Sequence, residues 1–212
     1  MSIITLATSK GGAGKTTVAQ LLVGSLSDRG YRVAAIDADL NRTLANWVEV
    51  FSTRPITVLA QTDETEIVSL AESLDAKHDL VVIDTAGAAS RATVFAIGCS
   101  DLVIVPVQPS SSDVIEAIKT VKLVRSAAEM TKREIPVRVL FTDYQPNTRI
   151  AAHTEGEIAK YELPTLETKL SRLVAFKEMT FTGEMPTEGQ GRALVDSLLK
   201  ELKILGALPF YR

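Results

Sequence analysis

Cysteine, histidine and tryptophan are nearly missing from these 212 residues, at one, two and one copies respectively. The single thiol, Cys99, excludes an intramolecular disulfide framework and points to a reducing compartment. Its helical surroundings read as those of a small buried hydrophobe. His78 and His153 are too few and too far apart in sequence for a metal site, and neither adjoins a nucleophile. No apolar run reaches the ~18 residues that a membrane span needs. The N-terminus carries no basic stretch followed by an apolar one, so no secretory signal is read and a cytoplasmic chain is expected. Aromatics are only 5%, whereas Val, Ile, Leu and Ala are plentiful, which favours buried parallel strands under helices over an all-β sandwich.

What is present suits one α/β domain spanning residues 1–212, without repeats or long linkers. The net charge of −3 is unevenly spread: residues 1–106 hold 8 Lys+Arg against 12 Asp+Glu, and residues 107–212 hold 15 against 14. Short apolar runs alternate with helical patterns. Strands are predicted at Ser2–Thr8, Arg32–Asp37, Ile56–Ala60, Leu80–Asp84, Leu102–Val107, Val137–Thr142 and Pro164–Leu166. Helices are predicted from Lys15 to about Arg29, then at Thr43–Phe51, Glu64–Ala76, Ala88–Gly98, Asp113–Lys132, Thr148–Tyr161 and Gly189–Leu205. Such alternation specifies a mostly parallel, twisted sheet with helices on both faces, its strand C-termini sharing one ligand-binding edge.

Three motifs fall on that edge. The first is the phosphate loop Ser9-Lys10-Gly11-Gly12-Ala13-Gly14-Lys15-Thr16-Thr17, between a strand and a helix. Ser9 stands where the pattern G-x-x-x-x-G-K-[ST] has its first glycine, yet the physics is intact. Glycines let backbone N–H groups turn inward around an anion, and the helix start adds its positive dipole end. Lys15 then reaches the β- and γ-phosphates of ATP, and the Thr16 hydroxyl ligates Mg²⁺. Asp37 and Asp39, two residues apart beyond the second strand, can both face the phosphates, and beside Mg²⁺ both stay ionised. The run Leu80-Val81-Val82-Ile83-Asp84 has the Walker B form, with Asp84 taking hydrogen bonds from the metal's water shell.

Lys10-Gly11-Gly12-Ala13-Gly14-Lys15-Thr16 resembles the deviant Walker A loop of the ParA/MinD family of ATPases. The segment Asp37-Ala38-Asp39-Leu40-Asn41 resembles the family's D-x-D-x-[QN] element, and looser similarities run nearly to the C-terminus. The resemblance implies that Lys10 crosses a homodimer interface to the partner's nucleotide, much as an arginine finger does. It also implies that Asp39 activates the attacking water and that Asp37 lies near the magnesium shell. Gly87, in Thr85-Ala86-Gly87, is expected to bring its N–H to the γ-phosphate, and Pro106, Gln108 and Thr142 to neighbour the adenine or ribose. Catalytic roles thus fall to Lys10, Lys15 and Asp39, and metal binding to Thr16, Asp37 and Asp84.

The same resemblance implies a small ParA-type partition ATPase. It would bind DNA non-specifically as an ATP dimer, associate with the nucleoid and answer to an adaptor that stimulates slow hydrolysis. No helix-turn-helix segment is read before the phosphate loop. Candidate DNA contacts are Lys119, Lys122 and Arg125 on the Asp113–Lys132 helix, with Arg172, Lys177, Lys200 and Lys203 elsewhere. A solvated helix face is the equal alternative for the first three, because Glu116 and Glu129 dilute the charge. A MinD-like membrane-cycling regulator is the alternative function. Leu194, Val195, Leu198, Leu202 and Leu205 form a C-terminal stripe with few flanking cations, however, so packing on the sheet is expected and membrane binding is not. A metabolic ligase or kinase on this scaffold needs an acceptor pocket that no motif marks. A cluster-bearing reductase is excluded, because one cysteine per chain cannot supply four ligands even across a dimer.

Overall fold

A computed structural model describes residues 2–87 and 90–208. In chain order the elements are β1 (Ile3–Leu6), α1 (Lys15–Ser27), β2 (Val33–Ala38), α2 (Thr43–Val50), β3 (Thr57–Ala60), α3 (Glu64–Asp75) and β4 (Leu80–Thr85). There follow α4 (Arg91–Gly98), β5 (Leu102–Val107), α5 (Ser111–Thr131), β6 (Val137–Phe141), α6 (Arg149–Lys160), α7 (Val174–Thr182) and α8 (Gly189–Ile204). The six strands form one parallel sheet in the order β3-β2-β4-β1-β5-β6.

The strand period of two sorts side chains between two helical layers. Val33 and Ala35 of β2, Leu80 and Val82 of β4, and Leu102 and Ile104 of β5 face one layer, where they pack with residues of α1, α2, α7 and α8. Their neighbours Ala34, Ile36, Val81 and Ile83 pack with α3 and α4, and Val103, Val105 and Val107 with α5 and α6. Burial on both faces explains why these strands read as unbroken apolar runs.

Predicted and observed elements differ at two places. Pro164–Leu166 supplies only an isolated bridge, Val139 to Thr165, because Val139 N–H is taken by Pro164 O and the pairing goes no further. Helix α7 was not anticipated; it follows Leu173 and ends at Gly183, whose φ of 75° makes a left-handed stop. Of the helix expected over Ala88–Gly98, Ala88 and Ala89 lie outside the described residues; Ser90 caps α4 by accepting from Thr93 N–H. The C-terminal stripe does pack on the sheet, with Val195, Leu198 and Leu202 buried and Leu199 in place of the half-exposed Leu205. Among the described residues no helix is long and apolar enough to cross a membrane.

Candidate nucleotide site

Parallel pairing fixes which carboxylates meet. Asp37 of β2 lies in register with Asp84 of β4, and Asp84 with Leu6 of β1, so the phosphate loop emerges beside both acids. The loop turns through Gly12 at φ 80° and Gly14 at φ 95°, a region that side chains with a Cβ avoid. Gln108, after β5, donates its Nε2 to Gly12 O at 2.8 Å, and Thr142, after β6, donates its hydroxyl to Ala13 O at 2.8 Å. The loop is thus pinned by its carbonyls, as suits a loop that turns N–H groups towards an anion.

Lys15 is buried, and its ammonium donates to the carbonyls of Thr8 (3.3 Å) and Lys10 (3.2 Å). Burial pushes its pKa below the ordinary lysine value, against the pull of Asp84 and Asp39. Thr16 Oγ1 donates to Asp84 Oδ2 at 2.7 Å, whereas Asp84 Oδ1 is buried with no hydrogen-bond partner. Burial raises the Asp84 pKa to about 7, with the Thr16 hydrogen bond opposing. An unpartnered buried carboxylate oxygen beside a threonine hydroxyl is the donor set that fits Mg²⁺.

Asp37 is fully buried and spends its oxygens on backbone: Oδ1 accepts from Asp39 N–H at 3.1 Å and Oδ2 from Ala45 N–H at 2.9 Å. It lies in register with Asp84, where it was expected near the magnesium shell, and it also ties down the segment that carries Asp39. Burial raises its pKa above the usual aspartate value despite those N–H donors. Asp39 itself reaches the surface, where its Oδ1 accepts from the backbone and side-chain amides of Asn41, each at 2.9 Å. Gly87 lies against the phosphate loop, and a Cβ there would stand 3.0 Å from both Cα and N of Gly11.

Lys10 has different partners from Lys15. Its ammonium pairs with Asp113 near the start of α5 and lies 3.1 Å from Ser112 Oγ and 3.5 Å from Ser110 Oγ. This helix starts at Ser111, two residues before the Asp113 start expected from the sequence, and Asp113 has a partner that the sequence does not announce. The run of three serines before an aspartate was the signal available, since Ser110 caps the helix by accepting from Asp113 N–H.

A cavity of about 600 Å³ opens beside the loop, walled by Gly14, Thr17, Gln108, Thr142, Arg172 and Lys177. Two of the three expected base or ribose neighbours therefore meet there. The third, Pro106, is a buried β5 residue opposite Leu140 and is not among the cavity walls, because its strand position precedes the edge. Arg172 and Lys177, expected among the DNA contacts, line this cavity, and Arg172 pairs with Asp143. Lys119, Lys122 and Arg125 share the exposed side of α5, with Lys119 paired to Glu116 at 2.8 Å.

Residues 1–190 match a family model described as VirC1 protein. Protein ParA of Rhizobium radiobacter is 34% identical over 155 residues, which are 73% of this chain and 70% of that protein. Maintenance of carboxysome distribution protein A of Halothiobacillus neapolitanus is 26% identical over 204 residues, 92% of either chain. The solved structure of the septum site-determining protein MinD complexed with Mg-ADP, from Pyrococcus horikoshii OT3, matches with a TM-score of 0.78. At 18% identity over 97% of both chains, that likeness concerns the fold.

Proposed function

The chain belongs to the VirC1 protein family and is a ParA/MinD-type P-loop ATPase, and on that premise we propose a nucleotide-gated homodimer that positions DNA or protein cargo. ATP occupies the glycine loop, and its base lies in the 600 Å³ cavity. Thr16 and Asp84 would hold Mg²⁺, which would supply charge neutralisation at the phosphates. Lys15 serves its own chain's phosphates, and Lys10 those of the partner. Asp37 fixes the segment from which Asp39 orients the attacking water.

The observation that carries this reading is the different setting of two lysines in one loop. Lys15 is buried against the loop carbonyls, while Lys10 lies at the start of α5 beside Asp113 with its side chain 35% exposed. A cation supplied only by a partner leaves the single chain a poor catalyst, so turnover is slow until dimer closure and an adaptor complete the site. Closure also brings two copies of the Lys119, Lys122 and Arg125 face together, which multiplies phosphate contacts with non-specific DNA and places the ATP state on the nucleoid. Packing of the α8 stripe in the core speaks against the membrane-cycling alternative.

Light scattering with Mg²⁺ and a non-hydrolysable ATP analogue tests the proposal. Wild type should double in mass, Lys15→Ala should lose nucleotide binding, and Lys10→Ala should bind nucleotide yet stay single. Wild type that binds the analogue and remains single overturns the dimer; pelleting on liposomes but not on DNA overturns the DNA surface.

A further inference from the structure

We propose that Glu155 of α6 is a positioning residue for the nucleotide base, acting through Tyr144 and Lys169 on two segments of the cavity wall. That role rests on the base being seated in the cavity, as proposed above. Thr142 and Asp143 line it from one segment, and Leu170, Ser171 and Arg172 from the other. The segments lie side by side: Tyr144 N–H donates to Leu170 O at 3.0 Å, and Arg172 N–H donates to Tyr144 O at 3.2 Å. One carboxylate oxygen then gathers a side chain from each. Glu155 Oε1 accepts from the Tyr144 hydroxyl and from Lys169 Nζ, the latter at 2.6 Å. The same ammonium lies 4.9 Å from the centre of the Tyr144 ring and 5.6 Å from that of Phe141. Glu155, Tyr144 and Lys169 do not themselves line the cavity, so any effect on the base passes through the segments they tie.

Three properties make this a clasp rather than a surface ion pair of the usual small worth. Asp143, between Thr142 and Tyr144, has φ 51°, a left-handed conformation that residues with a Cβ rarely adopt, so the turn persists only where neighbours hold it. Its carboxylate pairs with Arg172 across the two segments, and the Tyr144–Glu155–Lys169 cluster ties the same segments a second time. The acid and the ammonium are each only about one-third exposed, and one acceptor shared by two donors forms a network, the case in which such pairs gain weight. Finally, Ile158, three residues beyond Glu155, is buried in the layer that α5 and β6 share, so the carboxylate rides on an anchored helix.

Loss of the clasp frees the base wall and spares the phosphate loop, so it should act on ATP and not on phosphates alone. The experiment measures the affinities of ATP and of inorganic tripolyphosphate, both with Mg²⁺, by competition with a fluorescent ATP analogue calibrated for each variant. Amide hydrogen exchange of the nucleotide-free chain accompanies it. Glu155→Ala should weaken ATP about fivefold, leave tripolyphosphate within about twofold, and hasten exchange at residues 142–144 and 170–172 but not in the phosphate loop. Glu155→Gln, whose amide oxygen still accepts from both donors, should recover most of the ATP affinity. Equal weakening of both ligands is what a merely structural defect gives, and it overturns the inference, as does unchanged ATP affinity or unchanged exchange in Glu155→Ala. Should that variant fail to fold, Lys169→Met decides in its place: it keeps a stem beside the rings and removes the ammonium. An ATP-selective loss there supports the clasp, and its absence overturns it. Wild type that binds tripolyphosphate as tightly as ATP instead removes the base from the cavity, and the role of Glu155 falls with it.

Discussion

Thr16 Oγ1 donates to one oxygen of Asp84 at 2.7 Å, and the other oxygen of that carboxylate, buried just as deeply, has no partner. This half-satisfied acid is costly to ionise, which is why its pKa rises from 3.8 to about 7. Between those values the folded chain holds a proton that the unfolded chain has released, so stability falls as pH rises through the window. The loss is up to about 1.4 kcal/mol per pH unit, roughly 3–5 °C in a domain of this size. Metal-free protein should therefore melt lower at pH 7 than at pH 5 by calorimetry, and Asp84→Asn should flatten that slope. Mg²⁺ with ATP needs the ionised form and should reverse the trend in wild type. Equal slopes in wild type and Asp84→Asn would remove Asp84 as the source.

Gly87 contacts the phosphate loop through its missing side chain. A methyl group there would meet Gly11 Cα and N at 3.0 Å, backbone atoms that cannot swing away. Gly87→Ala should shift the loop and weaken ATP affinity by tenfold or more, while circular dichroism and melting temperature change little. Calorimetric titration checks this, and wild-type affinity would mean that the loop has slack.

Trp47 reaches across to α7. Its buried indole Nε1 donates to Met179 O at 2.8 Å, and α7 carries Phe176 and Lys177 on the cavity wall. Trp47→Phe removes one of two donors to that carbonyl, which keeps Gly183 N–H at 3.0 Å, and loses volume, at a cost of about 1–2 kcal/mol. The midpoint of urea unfolding should drop accordingly, and nucleotide affinity should weaken as α7 loosens. Loss of stability with unchanged affinity would separate the helix from the site.

The layers and the site edge were legible because both rest on local pattern. Runs such as Leu80–Thr85 can be buried only as a central strand, and the glycines before Lys15 have few other uses between strand and helix. Long-range pairings left no such trace. Nothing in the sequence joins Lys10 to Asp113 or Trp47 to Met179 across 103 and 132 positions. Helix α7 escaped because its buried residues are only Phe176 and Met179, too few for a periodic stripe. The hold of Asp37 on its own loop left no trace either, because an aspartate at a strand end looks the same whether its oxygens accept from backbone N–H groups or stay open.

The basic residues of the second half divide by neighbourhood, and the division has separable consequences. Lys177 walls the cavity next to Thr17, and Arg172 is pinned there by Asp143. Lys122 and Arg125 stand exposed on α5, away from the cavity walls. Lys177→Ala should therefore weaken nucleotide affinity several-fold, and its DNA binding should return to wild-type strength once nucleotide is saturating. The double variant Lys122→Glu and Arg125→Glu should do the reverse, lowering DNA affinity by tenfold or more while nucleotide affinity holds. Each neutralised phosphate contact contributes close to one unit to the slope of log affinity against log salt. Loss of both residues in each of two subunits should flatten that slope by up to about 4. Fluorescence anisotropy on a random duplex, run across a salt series with saturating Mg²⁺ and ATP analogue, reads both effects. An unchanged slope in the α5 variant would move the DNA surface elsewhere on the dimer.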